Sequence, residues 1–239
     1  MTGKLIALGG YKRAGKDESG DYLEERYGFE KLGMSDALND ALQNIGPKGP
    51  WVQLDFDVFD LAPWTHDLRR GKYTKGEYVR YRDLLYAVGY TEAKLHKDVR
   101  EYLQGLGTEV GREMIDQEVW VNIAEKRIAS LLENGKDVVI TAIRFPNELD
   151  MVARLGGTAV WIDRSAELRG ADTDAHASEN SLSASDFNGS LDNNGTVDQL
   201  RKNLDTLLRK VEDGTLKYPQ PIGTRIDVDG RYVWPSYDN

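Results

Sequence analysis

Lys4 to Lys16 reads KLIALGGYKRAGK, with Asp17 directly after it. Leu5 to Leu8 is a short apolar run of the kind that fills a buried parallel strand. Gly9 and Gly10, four more residues, then Gly15 and Lys16 follow, and a helical pattern runs on to Tyr27. Strand, glycine-rich loop and helix in that order is the setting that gives Gly-x-x-x-x-Gly-Lys its physical meaning. The glycines let backbone N–H groups turn inward toward an anion, and the helix N-terminus adds a favourable field. Gly10, Gly15 and Lys16 are therefore candidate phosphate-binding residues. Lys16 acts as a mobile point charge for the terminal phosphates of a nucleoside triphosphate. The alternative is a glycine-rich turn that only caps a helix.

The position that usually offers magnesium a hydroxyl holds Asp17, followed by Glu18 and only then Ser19. A carboxylate serves a hard cation directly or through water, which makes Asp17 the candidate metal residue. It also adds negative charge beside the phosphates.

The bounds on the whole chain agree with a nucleotide-handling domain. At 239 residues, 40% hydrophobic and 30% charged, it has material for one α/β domain with insertions or for two small domains. The net charge of −9 disfavours non-specific nucleic-acid binding. With no cysteine, disulfides, thiolate catalysis and zinc–thiolate sites are excluded. No stretch has the length and apolarity of a membrane span, so the expectation is a cytoplasmic protein without a membrane partner.

Beyond Gly28, Phe29 to Met34 reads as a second strand and Ser35 as an N-cap, with Ala37, Leu38, Ala41, Leu42 and Ile45 at helical spacing. Asp36 stands where strand gives way to helix, which makes it a substrate-site candidate or a helix-capping residue. Gly46 to Trp64 reads as irregular, and Tyr78, Tyr81, Leu85 and Val88 as an amphipathic helix. Arg112 to Glu133 is a helix whose stripe includes Trp120 and Ile123. Asp137 to Ile143 is the most apolar strand, expected at the centre of the sheet. Strands at Thr158 to Asp163 and Phe187 to Leu191 and a helix after Asn194-Gly195-Thr196 complete the pattern, with a small hairpin around Asp229-Gly230. Alternating strands and helices mean an α/β fold.

Four separated stretches then coincide with one family: GGYKRAGKD, LQGLGTEVGREMIDQEVWV, ITAIRFPNE, and HASE followed by NNGTVDQL. On these the chain resembles the bacteriophage deoxynucleoside monophosphate kinases, within the phosphate-loop nucleoside monophosphate kinases. The resemblance covers most of 1–212 and leaves out 47–97 and the tail after Asp213. It implies a single phosphate-loop domain: a five-stranded parallel sheet flanked by helices, with its core at about 1–46 and 98–212. A helical insertion at 47–97 covers the substrate side, 164–186 is a lid, and 213–239 a C-terminal extension. It implies transfer of the γ-phosphoryl group of ATP to a deoxynucleoside monophosphate with Mg²⁺, in the host cytoplasm, with a homodimer as the assembly and no nucleic-acid partner.

Phosphoryl transfer needs alignment and charge neutralisation more than a nucleophile, and arginine forks grip phosphate oxygens well. Arg144 and Arg112 are accordingly the candidate clamps beside Lys16 in the catalytic set, with Arg100 a third on the acceptor side. The other reading of each arginine is a structural ion pair. Asp116 and Trp120, four apart, are expected on one helix face toward the base or sugar, with simple core packing the alternative for Trp120. Glu148, His176 and Glu179 complete the substrate set. Glu18, Arg164, Arg169 and Asn194 join the nucleotide set, the two arginines as lid residues and Asn194 near adenine. Where the family often has an acidic residue before the arginine, this chain has Ala142. A dephospho-coenzyme A kinase-like enzyme and a non-catalytic nucleotide-binding regulator are the alternative readings.

Overall fold

The computed structural model describes residues 3–59, 72–170 and 182–216. Trp64, His176, Glu179 and the hairpin expected at Asp229-Gly230 lie outside them. In chain order the elements begin with β1 (Leu5–Gly9), α1 (Lys16–Tyr27), β2 (Glu30–Gly33), α2 (Asp36–Gln43), β3 (Trp51–Gln53), β4 (Val58–Phe59), β5 (Lys72–Tyr73), β6 (Tyr78–Arg80) and α3 (Tyr81–Ala93). There follow α4 (Lys97–Gln104), a wide-turned π-helix at Gly105–Ile115, α5 (Val119–Glu133), β7 (Val138–Ile143) and α6 (Pro146–Arg154). The chain then forms β8 (Thr158–Asp163), α7 (Ala166–Arg169), a 3-10 turn at Ala184–Asp186, β9 (Gly189–Asp192) and α8 (Val197–Glu212). Contacts divide the chain into two compact units, Met1–Met34 with Glu125–Asn239, and Ser35–Ala124.

The first unit holds a five-stranded sheet in the order β2-β7-β1-β8-β9, every neighbouring pair parallel. β1, with all five residues buried, is the middle strand. The apolar run ending at Ile143 is β7, one place from the centre; an interior strand buried on both faces is as apolar as a central one, so composition alone could not rank the two. Ile6, Leu8, Val139, Val160 and Ile162 form one core layer. Leu23 of α1 and Leu200, Leu204, Leu207 and Leu208 of α8 close over it. Each fully buried leucine contributes about 1.5–3 kcal/mol relative to exposure, so this helix pair accounts for much of the unit's cohesion.

α1 stops at Gly28, which takes the left-handed conformation at φ 74° and returns its N–H to the carbonyl of Glu24. Tyr27, the last residue of α1, is exposed. Its hydroxyl and that of Tyr22 each donate to Asp205 Oδ1 at 2.7 Å, which joins α1 to α8. Donating to a carboxylate raises the Tyr27 phenol to about 12 and holds Asp205 below the usual carboxylate range.

The second unit has its own core, including Leu42, Val52, Leu54, Tyr81, Leu84, Val99 and Leu103. The stretch read as irregular contains β3 and β4, which pair antiparallel with β6 and β5 respectively. Tyr78 belongs to β6, opposite Gln53, and not to the helix. Alternation explains the difference: Val79 is buried while Tyr78 faces out, a period of two hidden by the helical stripe starting at Tyr81. The insertion is thus strand as well as helix. Gly107 and Gly111 lie inside the π-helix. Ile123, expected in the core stripe, is exposed. Among the described residues no helix is long and apolar enough to cross a membrane.

Candidate active site

In the parallel sheet of the first unit, the C-terminal ends of the strands are the ligand-binding edge. The loop after β1, Arg144 after β7, Arg164 after β8 and Asn194 after β9 all leave the sheet at that edge. Local sequence shapes the loop. Gly10 has φ 139°, where a Cβ would also stand 2.6 Å from the carbonyl oxygen of Ile162. Gly15 has φ 98° and hands the chain to α1. Ala14 N–H donates to the Tyr11 carbonyl at 3.1 Å and closes the turn.

Lys16, the first residue of α1, folds its ammonium back over this loop. Nζ donates to the carbonyl oxygens of Gly10 at 2.8 Å and Tyr11 at 2.7 Å. Two of the acceptors that hold the ammonium are thus backbone carbonyls of the loop, and phosphate oxygens, being charged, are stronger acceptors than these. Asp17 is exposed in the first turn of the helix. Glu18 accepts from Arg201 Nη2 at 3.0 Å and so joins α1 to α8. Ser19 is buried and donates its hydroxyl to the Gly15 carbonyl at 2.8 Å, as a helix residue bonding back one turn does.

Arg144 follows β7 directly and is exposed. Among the described residues its guanidinium makes no hydrogen bond or ion pair. Its backbone is fixed instead: the buried carboxylate of Glu148 accepts from the N–H of Arg144 at 2.6 Å and of Phe145 at 3.2 Å. Glu148 is the third residue of α6, after Pro146 at the first position, so it caps its own helix. Just upstream, β7 carries a bulge. Ala7 pairs with Ile140 but Gly9 with Ile143, so β7 has one residue more than β1 in this interval, and Ala142 within it takes φ 66°.

The residues after β8 and β9 converge on the loop. Arg169 lays its guanidinium over the Tyr11 ring, 4.5 Å from the centroid, and donates Nε to the Arg164 carbonyl at 2.9 Å. Asn194 accepts the Ser165 N–H at 2.7 Å. Its neighbour Asn193, which the sequence reading passed over, is buried and donates Nδ2 to the Ala14 carbonyl at 2.8 Å. The doubled asparagine before Gly195 was the available signal, since a strand-end amide often bonds a neighbouring backbone.

Several expected residues belong to the second unit: Asp36 opens α2, Arg100 lies exposed on α4, and Arg112 lies in the π-helix. Asp116 and Trp120 do not share a helix face. Asp116 is extended at φ −164°, ψ 131°, in the break between the π-helix and α5, where its carboxylate accepts the Glu118 N–H at 2.9 Å. Trp120 is buried, and its indole N–H donates to the Gly107 carbonyl at 2.8 Å, so it holds α5 to the π-helix. Its approach explains Gly111, where a Cβ would stand 2.6 Å from the indole nitrogen.

The family model of deoxynucleotide monophosphate kinases matches residues 69–204. The deoxynucleotide monophosphate kinase of Escherichia phage RB69 is 22% identical over 246 residues, covering 86% of this chain and 100% of that protein. The deoxynucleoside-5'-monophosphate kinase of Escherichia phage T5 is 43% identical over 136 residues, 55% of this chain and 50% of that protein. The uncharacterized protein ORF77 of Ictalurid herpesvirus 1 (strain Auburn) is 39% identical over 84 residues, 35% of this chain and 36% of that protein. The chain thus spans about a third to a half of two of these relatives and the whole length of the phage RB69 enzyme. A glycine-rich loop with its lysine folded over it, an arginine on the adjoining strand end and a family match across more than half the sequence lead to one conclusion: the chain belongs to the deoxynucleotide monophosphate kinase family.

Proposed function

We infer that this protein is a deoxynucleoside monophosphate kinase, which moves the γ-phosphoryl group of ATP onto the phosphate of a deoxynucleoside monophosphate. The observation that carries it is Lys16 folded over the Gly10–Gly15 loop in a chain whose residues 69–204 match the family model. The acceptor is an anionic oxygen, so no strong base is needed; the demand is for positive charge around two phosphate groups. Lys16 neutralises the donor's terminal phosphates. The Arg144 guanidinium, which makes no hydrogen bond or ion pair among the described residues, grips the acceptor phosphate or the transferring group, and Arg112 and Arg100 add charge on the acceptor side. Arg164 and Arg169 cover the triphosphate.

The residues fit magnesium in a limited way. No group of three or more His, Asp or Glu stands together among the described residues, and the exposed Asp17 is the carboxylate beside the loop. That suits an ion held mostly by phosphate and water with one carboxylate in support. When bound, the ion supplies charge neutralisation between the phosphates. The chain's own contribution is Lys16 and the N–H groups of the loop. The proposal extends to the host cytoplasm, a homodimer, and Asp36 as a further substrate contact.

The test is a coupled assay with ATP against each deoxynucleoside monophosphate, in the wild type and in Lys16→Ala. ADP release with at least one acceptor, falling by about two to four orders of magnitude in the variant, is expected. No ADP with any acceptor would defeat the reading.

A further inference from the structure

We propose that the side chain of Tyr11, an uncharged ring inside the phosphate loop, is a positioning group that presents the Arg169 guanidinium to the donor triphosphate. This rests on the reading of Arg169 as a triphosphate contact. Tyr11 is held from behind. Its ring meets Trp161 edge-on with centroids 5.1 Å apart, and Trp161 is buried in β8. Trp161 in turn meets Phe187 edge-on at 5.2 Å. Phe187 lies so close to the backbone of Gly9 that a Cβ there would stand 2.1 Å from its ring. Three aromatic rings therefore run from the strand that precedes the loop, through the sheet, and back to the loop itself. A tyrosine fixed in this way is a rigid platform rather than a mobile surface ring.

Arg169 lies on that platform, 4.5 Å from the ring centroid, with Nε directed to the Arg164 carbonyl. Ring and carbonyl together fix the plane of the guanidinium. Its two terminal nitrogens make no hydrogen bond among the described residues and stay available to a bidentate acceptor. A second contact joins the same two segments: the Arg13 guanidinium lies 3.5 Å from where a Cβ on Gly170 would be. Without the platform, a long arginine side chain at the end of the four-residue α7 has to be ordered by the ligand itself, and that ordering entropy weakens binding. The π face carries the effect, so the phenolic hydroxyl is dispensable.

The test is calorimetric titration of ATP, with magnesium chloride present, into the wild type and Tyr11→Phe, Tyr11→Ala, Arg169→Ala and the Tyr11→Ala/Arg169→Ala double variant. Binding does not depend on turnover, so the result stands apart from the choice of acceptor. Tyr11→Phe should bind as the wild type does. Tyr11→Ala should weaken ATP by about three- to fivefold, the size of one partly exposed cation–π contact. The double variant should be no weaker than Arg169→Ala alone. Full additivity of the two single effects, or an unchanged dissociation constant in Tyr11→Ala, overturns the proposal. An unchanged constant in Arg169→Ala removes the reading it rests on, and the proposal with it, while leaving the kinase assay to stand or fall separately.

Discussion

The side-chain amide of Asn193 reaches from the end of β9 to the carbonyl of Ala14, 2.8 Å away, and anchors the phosphate loop to the far side of the sheet. Asn193 is itself fixed by its backbone N–H, which donates to Asp163 at 2.8 Å, and it fills the space that any Cβ on Gly15 would enter. Removing a buried hydrogen bond of this kind costs about 1–2 kcal/mol. Asn193→Ala should lower the melting temperature and raise the KM for ATP more than it lowers kcat, because loop geometry is what it loses. Asn193→Asp should be worse, since a carboxylate then faces the Ala14 carbonyl. Steady-state kinetics beside thermal melts test this; an unchanged KM for ATP in both variants would reduce Asn193 to packing.

Glu148 acts through the backbone of the residue it holds. Its buried carboxylate takes the N–H groups of Arg144 and Phe145, which sets where the Arg144 side chain begins. Glu148→Ala leaves those two donors without their acceptor, for about 1–3 kcal/mol of lost stability. It should also depress kcat/KM for the acceptor in the fraction that stays folded. Glu148→Gln keeps an acceptor oxygen and should recover most of both. Arg144→Ala, by contrast, should leave the stability within about 0.5 kcal/mol of wild type while abolishing most turnover, since it is exposed and removes no partner among the described residues. Equal loss of stability in Arg144→Ala and Glu148→Ala would contradict this division of roles.

What the sequence disclosed was what is local. The loop, Lys16 and α1 lie within two dozen residues, and a strand–glycine–helix pattern specifies them without reference to the rest of the chain. Pro146 and Glu148 at the first and third positions of α6 carried a capping signature, so the structural role of Glu148 was there to be read beside the substrate role expected of it. Asn193 and Tyr11 were not legible in the same way. Their partners, Ala14 at a separation of 179 residues and Arg169 across the β1–β8 pair, depend on sheet order and register. The Asp116–Trp120 pairing failed because a spacing of four implies a shared face only on an unbroken helix, and the chain breaks at Asp116. In 47–97 the strands are two or three residues long, too short for alternation to show against the stronger stripe of α3.

Ala142 stores backbone strain at the site. A non-glycine residue at φ 66° costs about 1–2 kcal/mol, and here the bulge beside β1 imposes it two residues before Arg144. Ala142→Gly should relieve that strain against a loss of about 0.5–1 kcal/mol from the freer unfolded chain, so the melting temperature should hold or rise slightly. Ala142→Val, β-branched in the left-handed region, should destabilise by more than 2 kcal/mol on the order-of-magnitude scale for such positions and misplace Arg144. A valine variant as stable and as active as wild type would show that the bulge can be lost without consequence.

The second unit carries a titration of its own at His96, which is fully buried and stacks on Phe56 with ring centroids 4.0 Å apart. Its Nδ1 accepts the Asp55 N–H at 3.0 Å, an arrangement that requires the neutral ring. Burial pushes the imidazole below its ordinary value of 6.5, outweighing the opposite pull of the Asp55 and Asp98 carboxylates. The unfolded chain therefore binds the proton more readily than the folded one. Stability from this group is complete above pH 6.5 or so and declines as pH falls through that value toward the lowered folded one. Thermal melts from about pH 7.5 to about pH 5 should show this decline in wild type. His96→Asn places an oxygen acceptor where Nδ1 stood and does not titrate, so its melts should vary less with pH over the same range. If both proteins lose stability in parallel, other groups govern the acid limb and the buried imidazole has no part in it.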